Sequence, residues 1–297
     1  MAFGSETENG ETTVAKSARV ENTRLKELRA QQAASERKRR LTVAAVVSAV
    51  IVIVVVAVVL AALNAPKGAV TSAKTSGTIS DTLAKSLAGV PSATYDTVGV
   101  GSASPTTIKS MTGAVALKDG KPRMIYVGAE YCPFCAGERW ALVTALSRFG
   151  TFTGIEYAVS SATDTPASIP TLSLKNAKFT SQYLSFESYE VQDRDGKALQ
   201  KEPDDVAALQ SANGGTAIPW IYYAGKAYQS GSTVDGTVFG TEAQDPIGAA
   251  LTDPSSALTK AVIGGANLTT ARICQTTGNK PANVCTSAGV TAAAAMQ

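Results

Sequence analysis

The sequence predicts an α/β domain carried behind a single membrane-spanning helix, and three observations lead there. Leu41 to Leu63 is a 23-residue run without one charge. A short apolar run, Arg123 to Gly128, feeds into Cys132-Pro133-Phe134-Cys135 and then into a segment of helical periodicity. A second apolar β run, beginning at Trp220, is opened by Ile218-Pro219. With 297 residues, 44% hydrophobic and 17% charged, the chain can bury one sizeable domain beside accessory segments.

The elements follow in chain order. As a helix, residues 41–63 would extend ~35 Å at about 1.5 Å per residue, enough for a hydrocarbon core of roughly 30 Å. Arg37, Lys38, Arg39 and Arg40 precede the run, whereas only Lys67 and Lys74 follow soon after it. Positive charge stays inside, so residues 1–40 are expected in the cytoplasm and the rest outside, where disulfides persist. The rival is a cleaved signal peptide, helped by small residues around Asn64-Ala65, but that class has a shorter leader and a shorter apolar core. Residues 1–40 hold nine Lys/Arg and six Asp/Glu and so carry the whole net charge of +3. The neutral remainder argues against nucleic-acid binding, and the basic tail is explained by topology and by anionic headgroups.

Residues 64–79 are small and polar and read as a flexible spacer. Ser80-Asp81 opens a short helix with Leu83 and Leu87 on one face, ending near Gly89 and Pro91. The predicted layout is thus a tail 1–40, a membrane helix 41–63, a linker with a short helix 64–92, a domain 93–290, and a disordered end 291–297.

Within the domain, Lys118-Asp119-Gly120 is a turn before the strand 123–128. Trp140, Leu142, Val143, Leu146 and Phe149 then recur at helical spacing, with Gly150 as the stop. Cys132 falls where strand becomes helix. Free N–H groups and the helix dipole favour a thiolate there, and Pro133 fits the first turn because it needs no donor. Cys132 is expected to be exposed and nucleophilic, and Cys135, one turn on, to face inward and resolve a mixed disulfide. Phe134 brings no charge, so the dipeptide itself predicts no strong lowering of the Cys132 pKa. A static bridge and a half metal site are the competing readings. Zinc usually needs two close pairs, but the second cysteine pair lies roughly 140 residues on. The chain has no histidine, which removes the third ligand of a copper carrier and excludes His-dependent triads. No metal and no cofactor are expected.

Strand 123–128, Ala129 to Cys135, the following helix, a strand at about Phe152 to Val159, and Ile218-Pro219 with its strand pair together resemble thioredoxin-like proteins. More closely, GAEYCPFCAGERWALVTALSRFG is similar to a membrane-anchored, thioredoxin-like family of bacteria and archaea catalogued as a domain of unknown function. The resemblance implies a thioredoxin-like fold with Cys132 as nucleophile, Cys135 as resolving thiol and Pro219 as a cis-proline beside them. It also implies that the Ile218 backbone pairs with a bound peptide; Tyr131 and Phe134, flanking Cys132, are further candidates for substrate contact. Two departures stand out. The buried acid that thioredoxins place six residues before the first cysteine is Tyr126 here. Glu130 or Glu138 could carry protons instead, the plainer expectation being that Glu130 caps the helix and Glu138 meets solvent or an arginine. An insertion is expected at about 160–215, with strand-like Thr171 to Leu174 and Tyr183 to Val191, a turn at Asp193 to Gly196, and a helix at Asp204 to Gln210. It would be a substrate platform or a structural cover. Trp140 is expected in the core; Trp220 and Tyr222 would border a peptide groove or simply pack.

Cys274 sits late in a predicted helix, Asn267 to Thr277, with Gly278 and Pro281 before Cys285. An 11-residue separation outside the cytoplasm favours a structural disulfide, with a second redox couple as the rival. The function expected from all this is a membrane-tethered extracytoplasmic thiol-disulfide oxidoreductase. It would act on cysteines of exported proteins, with direction of electron flow open and a membrane redox partner permitted. The alternative is a non-catalytic module that assembles or stabilises a membrane complex.

Overall fold

The computed structural model describes residues 72–297, so the basic tail, the apolar span 41–63 and residues 64–71 of the spacer lie outside the described residues. Among the described residues no helix is long and apolar enough to cross a membrane.

The chain enters along the domain rather than away from it. Ser72 bridges to Glu242, Thr78 bridges to Glu156, and the Ile79 N–H donates to the Ile155 carbonyl at 3.1 Å. The spacer expected to be flexible through residue 79 is therefore pinned over its last eight positions. Helix α1, Asp81–Ala88, starts where the Ser80 hydroxyl accepts from the Leu83 N–H at 3.0 Å, and it buries Leu83 and Leu87. Helix α2, Ser92–Val98, follows.

A mixed sheet forms the centre. Its strands are β1 (Ile108–Ser110), β2 (Leu117–Lys118) and β3 (Lys121–Gly128). Asp119 and Gly120, both at positive φ, make the turn between β2 and β3. Helix α3, Pro133–Leu146, leaves the end of β3. Four short strands come next: β4 (Gly150–Thr153), β5 (Glu156–Val159), β6 (Pro170–Ser173) and β7 (Lys178–Ser181). After them come β8 (Ser185–Glu190), α4 (Asp204–Ala212), β9 (Trp220–Tyr223) and β10 (Ala227–Ser230). The sheet runs β1-β10-β9-β3, with β8 parallel on the far side of β3, β9 antiparallel to β3, and β2 on the first residues of β3.

The single strand expected at about 152–159 is instead two, β4 and β5, separated by Gly154 at φ 72. Neither joins the centre: β4 pairs with β7 and β5 with β6. The parallel neighbour of β3 is β8, so residues 185–190, expected inside an insertion, belong to the central sheet. The added material is chiefly the two small ladders between α3 and β8.

Both faces of the sheet are covered, which is why 124–127 is an unbroken apolar run. Met124 and Tyr126 pack with Trp140, Leu142 and Leu146, while Ile125 and Val127 face Val206, Trp220 and Tyr222. Beyond the sheet lie α5 (Gln244–Ala250), α6 (Ala257–Thr276), α7 (Ala282–Cys285) and α8 (Ala288–Ala294). The predicted helix 267–277 thus begins ten residues earlier. Gly265, inside this helix, permits close packing: a Cβ there would lie 3.0 Å from the Ala141 side chain. The end expected to be disordered is mostly α8, where Gly289 packs on the Tyr95 backbone and Val290 and Ala293 are buried.

Candidate functional site

Helix α3 needs an acceptor for its first N–H groups, and the residue at that position is Cys132. Its sulfur accepts from the Cys135 N–H at 3.3 Å, with Pro133 as the first helical residue. The Ile218-Pro219 peptide is cis, and the Ile218 carbonyl oxygen lies 3.9 Å from the Cys132 sulfur. The structure therefore brings Cys132, Cys135, Ile218 and Pro219 together from two distant parts of the chain.

Cys132 is not exposed as the sequence predicts. It retains 5% of its surface and Cys135 none, because Tyr131, Val191 and Ile218 pack around the pair. Phe134, more than half exposed, stands at the rim. The Cys132 pKa is lowered to about 7, chiefly by its hydrogen bond with the Cys135 side chain, against the cost of burial. The Cys135 and Phe134 backbone N–H groups and the Arg139 charge add to the lowering. Burial pushes Cys135 well up, and the neighbouring Cys132 adds to that. One thiol is thus poised to ionise and the other to keep its proton.

Residues that sequence reasoning passed over lie directly beneath. Cys132, Cys135 and Arg139 recur at three- and four-residue spacing and share one side of α3. Arg139 is fully buried and forms a fork with Glu190, Nε to Oε1 and Nη2 to Oε2 both at 2.8 Å, while Nη2 also donates to the Ala129 carbonyl. Glu190 closes β8 opposite Gly128, and its carboxyl also accepts from the Leu174 N–H. Burial raises the Glu190 pKa, opposed by Arg139. Tyr126, two residues before Gly128 on the same face, is completely buried, and a Cβ at Gly128 would collide with its hydroxyl. The spacing from Cys132 to Arg139 was readable; the partner Glu190 was not, since nothing in the sequence shows that β8 lies beside β3.

Neither acid proposed from the sequence bonds to a sulfur or behaves as its plainer expectation. Glu130 does not cap α3, a place Cys132 holds, but accepts from the Ser173 hydroxyl at 2.6 Å. Glu138 meets neither solvent nor arginine. It is fully buried, its pKa is raised by that burial, and it accepts from the Thr233 N–H at 2.7 Å and from the Thr233 and Ser232 hydroxyls. Trp220 does not border a groove either: it is buried, stacks on Tyr222 and donates to the Asn213 carbonyl.

Beside Tyr131 opens a polar cleft of about 520 Å³, lined by Ser161, Thr163, Asp164, Gln192 and Arg194 among others. Its two walls are tied to the segment before the cysteines, Ser161 N–H to the Tyr131 carbonyl and Glu130 N–H to the Gln192 carbonyl. Cys274 and Cys285 form a disulfide with Cα atoms 5.5 Å apart, in a packing cluster separate from that of Cys132 and Cys135. Among the described residues no group of three or more Cys, Asp or Glu side chains is arranged to hold a metal ion.

The arrangement defines a mixed α/β protein with a buried cysteine pair at a helix start. The chain belongs to the family described as a domain of unknown function (DUF929), which matches residues 110–274, more than half its length, and so takes in Cys132, Cys135 and Pro219. No curated protein and no solved structure matches it.

Proposed function

We propose that the chain is a thioredoxin-like thiol-disulfide oxidoreductase, anchored by residues 41–63 and working outside the cytoplasm on cysteine pairs of exported proteins. The observation that carries this reading is the Cys132 sulfur, held at the mouth of α3 with its pKa near 7 and facing the Ile218 carbonyl before a cis-proline. A strand-helix-strand unit with parallel β3 and β8, followed by the antiparallel β9–β10 pair and a covering helix, supports the fold assignment. In the proposed reaction the Cys132 thiolate attacks a substrate disulfide, a mixed disulfide forms, and Cys135 displaces the substrate sulfur. The cleft beside Tyr131 offers room for residues flanking the substrate cysteine.

The 5% exposure of Cys132 favours a second reading, in which the pair is a static bridge in an assembly module. Replacing Cys135 with Ser separates the two. An enzyme accumulates disulfide-linked adducts with exported proteins, seen as mass shifts lost on reduction and absent when Cys132 is also Ser. An assembly module forms no such adducts and keeps its partners in both variants.

A further inference from the structure

A buried ion pair lies near the two cysteines, its arginine on the same helix, four residues beyond Cys135. Arg139 and Glu190 are both fully buried, and two donors in their neighbourhood are unsatisfied: among the described residues neither Arg139 Nη1 nor the Tyr126 hydroxyl has a hydrogen-bond partner. Buried donors are nearly always paired, so two open ones near one pair of thiols need a reason. The charge of Arg139 acts on both sulfurs, and the Tyr126 hydroxyl feels both. A negatively charged Cys135, which exists only while a mixed disulfide is being resolved, would supply the missing acceptor.

We infer that Arg139 and Tyr126 are the donors that stabilise the Cys135 thiolate during resolution, with Glu190 as the positioning residue that holds the guanidinium beneath both cysteines. The inference rests on the oxidoreductase reading. In the first step the Cys132 thiolate forms a bond to one substrate sulfur, and the other leaves as a thiolate. In the second, the Cys135 sulfur bonds to the Cys132 sulfur and the bond from Cys132 to substrate breaks. The proton given up by Cys135 passes to the departing substrate sulfur, so two electrons leave the cysteine pair and no further reductant is needed. Tyr131 also packs beside the pair. Glu130 is engaged by Ser173 and Lys175, and Glu138 by Ser232 and Thr233.

The test uses the purified full-length chain, reduced, with dithiobis-nitrobenzoate as a small disulfide probe. Attack by Cys132 releases one equivalent of chromophore and resolution by Cys135 the second, giving two phases. Tyr126→Phe, which keeps the ring, is expected to slow the second phase relative to the first by about ten- to hundredfold, the kinetic equivalent of one hydrogen bond to an ionised group. The paired replacement Arg139→Met with Glu190→Gln removes both charges together. It is expected to slow both phases and to move the midpoint of Cys132 alkylation upward, because the Arg139 charge is one of the causes that lower it. If the paired variant does not fold, Tyr126→Phe alone decides. An unchanged ratio of phases in Tyr126→Phe overturns the inference while leaving the oxidoreductase reading intact. A wild-type chain that releases no chromophore overturns both.

Discussion

Alkylation of Cys132 across the pH range probes the site through a quantity its geometry fixes. With a pKa of about 7 in place of the ordinary 9.0, Cys132 is half ionised at pH 7, against about 1% for an unperturbed thiol, some 50-fold more thiolate. A lower pKa also weakens the nucleophile. With a Brønsted slope of about 0.5, two units cost about tenfold, leaving roughly a fivefold rate advantage before the narrow opening is counted. The absolute rate is therefore a poor test and the pH profile a good one. Iodoacetamide labelling of the reduced chain, followed peptide by peptide in a mass spectrometer, should give a Cys132 midpoint near pH 7 and no labelling of Cys135 below pH 9. The sign for stability follows from the same shift. Cys132 ionises below its unfolded value, so it stabilises the reduced fold fully above pH 9, and that contribution of about 2–3 kcal/mol is lost as pH falls through 7. Cys135, raised by burial, opposes it only above pH 9. A Cys132 midpoint at 8.5 or higher would refute the electrostatic argument.

Three other perturbations test the frame around the site. Gly128→Ala sets a methyl against the Tyr126 ring and hydroxyl, and should cost about 1–3 kcal/mol in urea unfolding while slowing resolution. Cys285→Ser opens an 11-residue separation and should cost about 3 kcal/mol, leaving the Cys132 alkylation midpoint unchanged; a shifted midpoint would mean the two pairs communicate. Removing residues 288–297 exposes the surface that Val290 and Ala293 cover and should lower stability by about 2–3 kcal/mol, whereas a disordered tail would be lost without effect.

The parts of the fold legible in the sequence are those written by local chemistry. Ser80 declares its helix because a hydroxyl at that place satisfies a free N–H. The Asp119-Gly120 turn and the run after it declare β3, and a proline opening a β run marks Ile218-Pro219. What stayed hidden depends on partners far along the chain. Strand β8, Ser-Phe-Glu-Ser-Tyr-Glu, mixes aromatic with polar residues and shows nothing of its central place until it is seen beside β3, and with it goes the pairing of Glu190 with Arg139. The close helix contact at Gly265 depends on Ala141, far back in the chain, and the alanine-rich end looks unstructured until Tyr95 is found beneath it. The covering of Cys132 by Val191 belongs to the same class, since the segment after β8 reaches the cysteines only in three dimensions.

In the proposed function Cys132 and Cys135 interconvert between dithiol and disulfide. Equilibrating the chain in glutathione buffers of graded poise and quantifying both cysteine pairs by mass spectrometry tests it most directly. One two-electron transition is expected, in which Cys132 and Cys135 bond to each other while the Cys274 to Cys285 bridge stays closed. A pair that remains fixed in one state at every poise would contradict it.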